Sequence, residues 1–592
     1  MYTRFWLRVA VYLCGTGVWL AGAQPSLQAQ GGSARGTSCK EFLVSKAEVK
    51  GKQIGQDDCR MLETDFTIGG RQFRRLDMGI SGTIDGYIAK EGRYNHYFGG
   101  NPEFTYAQAG NKNPIFYGIG RYDMETGSAV IFMYPKDAAA WNGKMYVTAH
   151  GAGVSFKAGN LKVWDKNLNA SNPLSDVDAY EKLMLSKGYA VAKTRRSTPM
   201  EAGDVVVTLA DGTVVQETNV TEQPRLIMSF AKVGWNVLQK RLGKRPTRTY
   251  WYGHSGGARP ARIVNYQPCL NVDTDGKHII DGLLIDDAGS GLWEPVVMKD
   301  GKDILFTNEK CQDWFPSMLG KSYTTPLAFY TQNNENHKDW VVPSIELAHQ
   351  LYVNETPDHP PAWVTTNFLA NKRLNAKYLR DKGLTAKYRT YEVAGVSHNG
   401  GEMLPEGKRG DVEILVLARV YDGLIDMLDN WVEKGVAPPP TKSDWAELGD
   451  VNKDGIIENP AIRVPEVACP TGVFHIFPVS TGATGQGTTG FAPFDGKGLE
   501  PFDGRGAVKS DEDNWFYNFV DMNHNGYRDF RETMTEAWRR LGLIKPNETF
   551  NRAAYTTCVQ KAVDKLLADK IITPKTAEFY KEDAATTKFP SN

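Results

Sequence analysis

Three groups of residues carry the clearest chemical potential: a serine between glycines, a late histidine, and a run of loop oxygens. Gly253-His254-Ser255-Gly256-Gly257 is a complete G-x-S-x-G. A serine hydroxyl is a weak nucleophile at its own pKa, so it needs an adjacent base and a bend that exposes it. The β-type run Thr249-Tyr250-Trp251-Tyr252 precedes the motif, and residues 258–266 can be helical with Pro260 in the first turn. Strand, tight turn and helix are the setting a nucleophile elbow requires. Without that setting the glycines would read as a packing turn. His150-Gly151-Ala152-Gly153 follows another predicted strand. The backbone N–H of Gly151 or Ala152 can face an oxyanion there, with the N–H of Gly256 as its partner.

The base should be a histidine on a loop after the last strand. Tyr391-Glu392-Val393-Ala394-Gly395-Val396-Ser397-His398 supplies it, and His337 on the preceding loop is the rival. For the orienting carboxylate, Asp339 follows a predicted strand at 327–331; Asp286, Asp287 and Glu335 are the alternatives. The chain order Ser255, Asp339, His398 is that of a hydrolytic triad on a parallel sheet. Each group also has a plainer reading, as a solvated loop charge or a surface imidazole.

The loop oxygens lie further on. Asp521, Asn523, Asn525, Tyr527 (through its carbonyl), Asp529 and Glu532 occupy the ligand positions of a twelve-residue EF-hand loop, with Gly526 at the sharp turn. That pattern predicts a calcium site, structural in role; its plainer reading is an Asx-rich turn. A second loop opens the same way at Asp450, Asn452 and Asp454 and reaches Glu458, but its twelfth position is Ala461, so it is incomplete. No cysteine stands at zinc-ligand spacing.

The elements that must position these groups alternate in type. Predicted strands at 129–134, 144–149, 189–193, 248–252, 279–285, 327–331 and 388–393 are separated by predicted helices near 176–187, 223–241 and 368–381. The pattern implies an α/β fold with a mostly parallel sheet covered on both faces. The strongest helical period runs over 411–433, where Ile414, Leu417, Tyr421, Leu424, Ile425, Leu428 and Trp431 share a face and Gly435 ends the run. Pro438-Pro439-Pro440 follows as a stiff linker. Residues 24–114 read as a β-rich N-terminal extension, 115–435 as the catalytic core, and 436–592 as a calcium-loop and helical region. A hairpin is expected at 204–218. The aperiodic segment 289–325, with Trp293, Trp314 and Phe315, is an expected lid.

Composition narrows the classes of function. The chain has 592 residues with 69 Lys+Arg against 69 Asp+Glu. That balance argues against a nucleic-acid binder or a polybasic membrane-surface protein. Arg4 and Arg8, an apolar stretch over 9–20 and Ala21-Gly22-Ala23 read as a cleavable signal over 1–23, too short to span a bilayer. The product is expected to be secreted or periplasmic. Beyond that signal remain Cys39, Cys59, Cys269, Cys311, Cys469 and Cys558, enough for three disulfides; the most local pairing is Cys39 with Cys59.

With these residues assembled, the chain resembles the α/β-hydrolase superfamily, and within it the bacterial, often exported "alpha/beta hydrolase domain" group. The stretches that carry the resemblance are GHSGGARPARIVNYQPCLNVDTDGKHIIDGLLIDDAGSG, VAGVSHNGG, WVEKGVAPPP through IRVPEVACPTGVF, and YTTCVQKAVDKLLADKIITPKTAEFY. The resemblance implies carboxylic ester hydrolysis on a small-molecule or polymer substrate, with no organic cofactor. Tannases and feruloyl esterases are a second reading, although they place a Cys where His254 stands. Polyester or lactone hydrolysis shares the same mechanism. A serine peptidase of the prolyl-oligopeptidase kind would need a propeller that residues 24–115 are too few to build. A non-enzymatic calcium-binding module is the reading furthest from the motifs.

Overall fold

The computed structural model describes residues 36–44, 47–49, 52–88, 105–106, 117–122, 129–150, 177–195, 206–208, 214–216, 223–254, 257–258, 261, 264–265, 271–273, 275–286, 297–299, 302–304, 341–349, 384–396, 408–409, 412–413, 417–440, 462–475, 490–496 and 533–589. The predicted signal, the strand at 327–331, the helix near 368–381 and the calcium loops lie outside them.

One large sheet organises the chain. Its first hairpin joins β1 (Lys52–Ile68) to β2 (Arg71–Ile88), both antiparallel, and β3 (Ala129–Pro135) pairs antiparallel with β2. β4 (Lys144–His150) leads into helix α1 (Ala179–Ser186) and then β5 (Ala190–Arg195). Helix α2 (Gln223–Leu242) returns the chain to β6 (Arg248–His254), followed by β7 (Gly282–Asp286), β8 (Ser344–His349) and β9 (Tyr388–Val393). The order across the sheet is β1-β2-β3-β5-β4-β6-β7-β8-β9. From β5 to β9 every neighbouring pair is parallel. The predicted N-terminal extension therefore contributes strands to the same sheet as the α/β units.

Helices cover both faces, as the near-continuous apolar strands demand. Leu226, Phe230, Val233 and Val237 of α2 pack on one face with Trp251, Leu283 and Ile285. On the other face Tyr180, Met184 and Leu185 of α1 meet helix α3 (Ala418–Lys434) over Tyr250, Tyr252 and Leu284. Helices α4 (Met534–Arg540), α5 (Arg552–Ala568) and α6 (Pro574–Thr586) extend this second core through Trp538, Val559, Val563 and Tyr580. Disulfides join Cys39 to Cys59, the predicted local pair, and Cys469 to Cys558. Cys269 and Cys311 lie outside the described residues.

Several sequence expectations need correcting. α3 begins at Ala418, not 411, because Val412-Glu413 pairs as a strand with Lys408-Arg409. The β-branched Val412, Ile414 and Val416 disfavour an earlier start. Gly435 ends the helix as expected, in the left-handed conformation at φ 66°. β7 begins at Gly282 because Asn271 holds Ile280 in a turn, donating to its carbonyl (2.6 Å) and accepting from its N–H (2.8 Å). The expected hairpin near 204–218 forms between Val206–Thr208 and Val214–Gln216. Inside the expected lid, Val297–Lys299 and Lys302–Ile304 form a hairpin, and the first of these strands also pairs with Thr105–Tyr106. No strand was expected at Ser344–His349, yet it sits between β7 and β9.

Candidate functional site

The direction of winding reverses in the middle of the sheet. The chain passes from β4 to β5 toward the hairpin edge, then crosses back to place β6 on the other side of β4. In an open parallel sheet the crevice for a ligand lies outside the carboxyl ends of the strands at such a reversal. Those ends are His150 of β4 and His254 of β6. In the chain His150 is followed by Gly151 and Ala152, and His254 by Ser255 and Gly256. The two strands that precede the predicted oxyanion donors and the predicted nucleophile in the chain thus end at the reversal point of the sheet. Ser255, Gly256, Gly151, Ala152, Asp339 and His398 themselves lie outside the described residues, as do Asp287, Glu335 and His337.

The flanking residues describe the turn. A Cβ on Gly253 would run into the carbonyl of Gly257 and the Cα of Ala258. Residues 253 and 257 therefore lie backbone against backbone, and three intervening residues must reverse the chain. Only glycine leaves room for so close a return. This supplies the glycine requirement of the G-x-S-x-G pattern with a physical cause.

Strand β9 ends at Val393 and Gly395 follows with φ 76°, so the chain leaves the sheet in a tight turn shortly before His398. Asp339 and the expected strand at 327–331 before it both lie outside the described residues. The parallel strand between β7 and β9 is β8, and residue 339 comes before that strand in the chain.

Asp286, weighed above as a rival acid, closes β7 directly across from His254 in the sheet register. It is fully buried and its two oxygens collect four side chains. Oδ2 accepts from the Tyr252 hydroxyl at 2.8 Å, the Tyr421 hydroxyl at 2.6 Å and His254 Nδ1 at 2.9 Å, while Oδ1 accepts from His349 Nε2 at 3.0 Å. Burial alone would raise its pKa. The charges and N–H groups of His349 and His254 outweigh burial and hold the carboxyl well below the usual carboxylate range. Asp286 is thus an ionised hub between β6, β7, β8 and α3.

A second buried polar group sits on the same face. Lys193 of β5 donates to Asp178 at 2.8 Å and to Glu181 at 3.0 Å, and Thr148 of β4 donates to Glu181 at 2.6 Å. Burial pushes the Glu181 carboxyl up against the pull of Lys193. Tyr180 links the two groups. Its hydroxyl meets Asp178 at 3.1 Å and its ring lies 4.2 Å from that of Tyr252.

Sequence reasoning weighs Asp286 as an alternative acid and names neither His349 nor Tyr421 as its partner. His349 sits on a strand whose apolar run is interrupted, and Tyr421 shares the apolar face of a helix, so neither carries a local sequence signal. Among the described residues there is no group of His, Cys, Asp and Glu that could hold a metal. No described helix is long and apolar enough to cross a membrane.

A family model described as "Alpha/beta hydrolase domain" matches residues 230–582, more than half of the chain. No curated protein matches it in sequence. Solved structures similar to it include esterase Est22, at 13% identity and TM-score 0.23, covering 49% of this chain and 70% of that one. A CE15 glucuronoyl esterase from Teredinibacter turnerae is 11% identical at TM-score 0.27, covering 57% and 68%. A mutant of the rice cell wall degrading esterase LipA from Xanthomonas oryzae is 11% identical at TM-score 0.28, covering 57% and 90%.

Proposed function

The chain belongs to the alpha/beta hydrolase domain family, and from that membership we propose that it is a carboxylic ester hydrolase acting through a serine nucleophile. The observation that carries this reading is the chain reversal behind Gly253, at the carboxyl end of β6 and at the turning point of the sheet.

Ser255 attacks the ester carbonyl while His398 takes its proton. The tetrahedral oxyanion is held by the N–H groups of Gly256 and of Gly151 or Ala152. His398 then protonates the leaving alcohol, and water cleaves the acyl-enzyme by the reverse sequence. Asp339 holds the His398 imidazole in the tautomer that accepts the serine proton. Comparing Asp339→Asn, Glu335→Gln and Asp287→Asn identifies the orienting carboxylate as the one whose loss lowers kcat by about 10⁴-fold. The substrate class is bulky or aromatic esters, on the strength of Trp293, Trp314 and Phe315 in the segment 289–325.

The loop bearing Asp521, Asn523, Asn525, Tyr527, Asp529 and Glu532 holds a structural calcium ion. The oxygen set suits that hard cation, and α4 starts immediately after it, with Thr533 as its N-cap. Secretion through the 1–23 signal fits the two bonded cysteine pairs, since disulfides persist in oxidising compartments.

Turnover of p-nitrophenyl and hydroxycinnamoyl esters by the wild type, lost in Ser255→Ala, is the expected result. Hydrolysis of peptide anilides without hydrolysis of esters would contradict it.

A further inference from the structure

A buried carboxylate ringed by two imidazoles and two phenols is an expensive way to fill a core, since each polar group must be desolvated and then matched. Asp286, His254 and His349 are all fully buried, and their bonds tie the carboxyl ends of β6, β7 and β8 to one another. Tyr421 adds α3 to the same oxygen that binds His254. All four contacts are donations to the carboxylate, so the charge is satisfied only while these four elements keep their present places. His254 is bonded through its backbone to Ser255. Any freedom in the His254 ring passes directly into the start of the turn that Gly253 and Gly257 close.

We propose that Asp286 is a positioning residue for the nucleophile: by gripping the His254 ring from β7 and bracing itself on His349 and Tyr421, it fixes the backbone from which Ser255 projects. The proposal rests on Ser255 being the nucleophile. It removes Asp286 from the list of triad acids and gives His349 a role that no motif suggests. His349 acts as the brace on the second carboxylate oxygen.

The test compares folded variants by kcat and KM on a p-nitrophenyl ester and by the rate at which a fluorophosphonate labels Ser255. Asp286→Asn is expected to lower kcat and labelling rate together, by about 10- to 100-fold, with KM within about twofold, because substrate binding is untouched. His349→Gln keeps an N–H for the carboxylate and is expected to stay within about threefold of wild type, whereas His349→Leu falls with Asp286→Asn. A purely structural role would lower the amount of folded protein without this split and without rescue by Gln. Should Asp286→Asn fail to fold, Tyr421→Phe decides: it removes one donor and preserves shape, and a slowed labelling rate supports the role. Folded Asp286→Asn or Tyr421→Phe labelled at the wild-type rate overturns it. A wild type that turns over esters without any label on Ser255 overturns the nucleophile reading itself, and is distinguishable from both.

Discussion

Asp281 illustrates how single carboxyls in this protein answer to burial. It accepts from the Thr249 N–H at 2.8 Å at the amino end of β6, and Arg248 stands 3.6 Å away. Burial outweighs both and pushes its pKa up to about 6. A carboxyl whose folded pKa lies above its unfolded value binds its proton more tightly when folded. Stability is therefore greatest below about pH 4 and declines as pH rises toward about 6. Asp281→Asn removes this titration. Between pH 4 and pH 7 the variant is expected to gain about 2–3 kcal/mol relative to wild type, read from denaturant melts at the two pH values. Parallel curves for the two proteins would show that Asp281 is ordinary. Asp286 has the opposite sign. Its carboxyl is held low, so its contribution is present above the unfolded carboxylate pKa near 3.9 and is lost only as pH falls through the much lower folded value. Two aspartates five residues apart thus respond oppositely to acid, because two imidazoles outweigh burial at Asp286, whereas burial outweighs one backbone N–H and a guanidinium at Asp281.

At the scale of elements, the helices on the α1 face are seated by charges as well as by apolar contact. Lys144 of β4 meets Asp429 at 2.6 Å and Lys187 meets Asp422 at 2.6 Å, both from α3. Deeper in, Lys193 is the cation that Asp178 and Glu181 share, with side-chain exposures of 2%, 5% and 0%. Removing it leaves two carboxylates facing each other in a low-dielectric core. Lys193→Met is expected to cost about 3–5 kcal/mol near neutral pH, because Glu181, whose carboxyl burial already pushes up, loses the cation that opposes that push. A variant as stable as wild type at pH 7, read from denaturant melts, would show that Lys193 is not needed to hold these carboxyls in the core.

These elements also show what was legible beforehand. β9 spans Tyr388–Val393 as expected from its strand pattern, and the apolar face of α3 around Tyr421, Leu424, Ile425 and Leu428 is buried as its period required. β8 was illegible because Ser344, Glu346 and His349 interrupt its apolar run, yet all are buried and matched by partners distant in sequence. Ser344, for example, meets Asn265 at 2.5 Å, and His349 meets Asp286. Polar residues inside a parallel strand reveal themselves only through partners that the linear pattern does not show. The glycine at 253 is legible for the converse reason: its constraint is local, set by backbone atoms of Gly257 and Ala258.

Across the whole molecule, the C-terminal helices belong to the same core as the sheet. Trp538, Val559 and Tyr580 share a buried cluster with Tyr252 and Leu284, and the matched family span runs from within α2 into α6. The Cys469–Cys558 disulfide ties α5 to the segment that follows α3. A calcium ion bound by residues 521–532, which directly precede α4 in the chain, would add a further tie. Calcium-loaded protein is expected to melt several degrees higher than protein treated with a chelator, and Glu532→Gln should remove most of the difference, because the twelfth-position carboxylate supplies two of the ligand oxygens. Identical melting with calcium and with chelator would assign the loop a role without metal.

The hydrolytic reading converges on a single oxygen atom. Wild-type protein treated with a fluorophosphonate and mapped by peptide mass spectrometry should carry one adduct, on the peptide containing Ser255, with activity lost in proportion and no adduct on Ser255→Ala. An adduct on another residue, or a fully active protein that takes up no label, would contradict it.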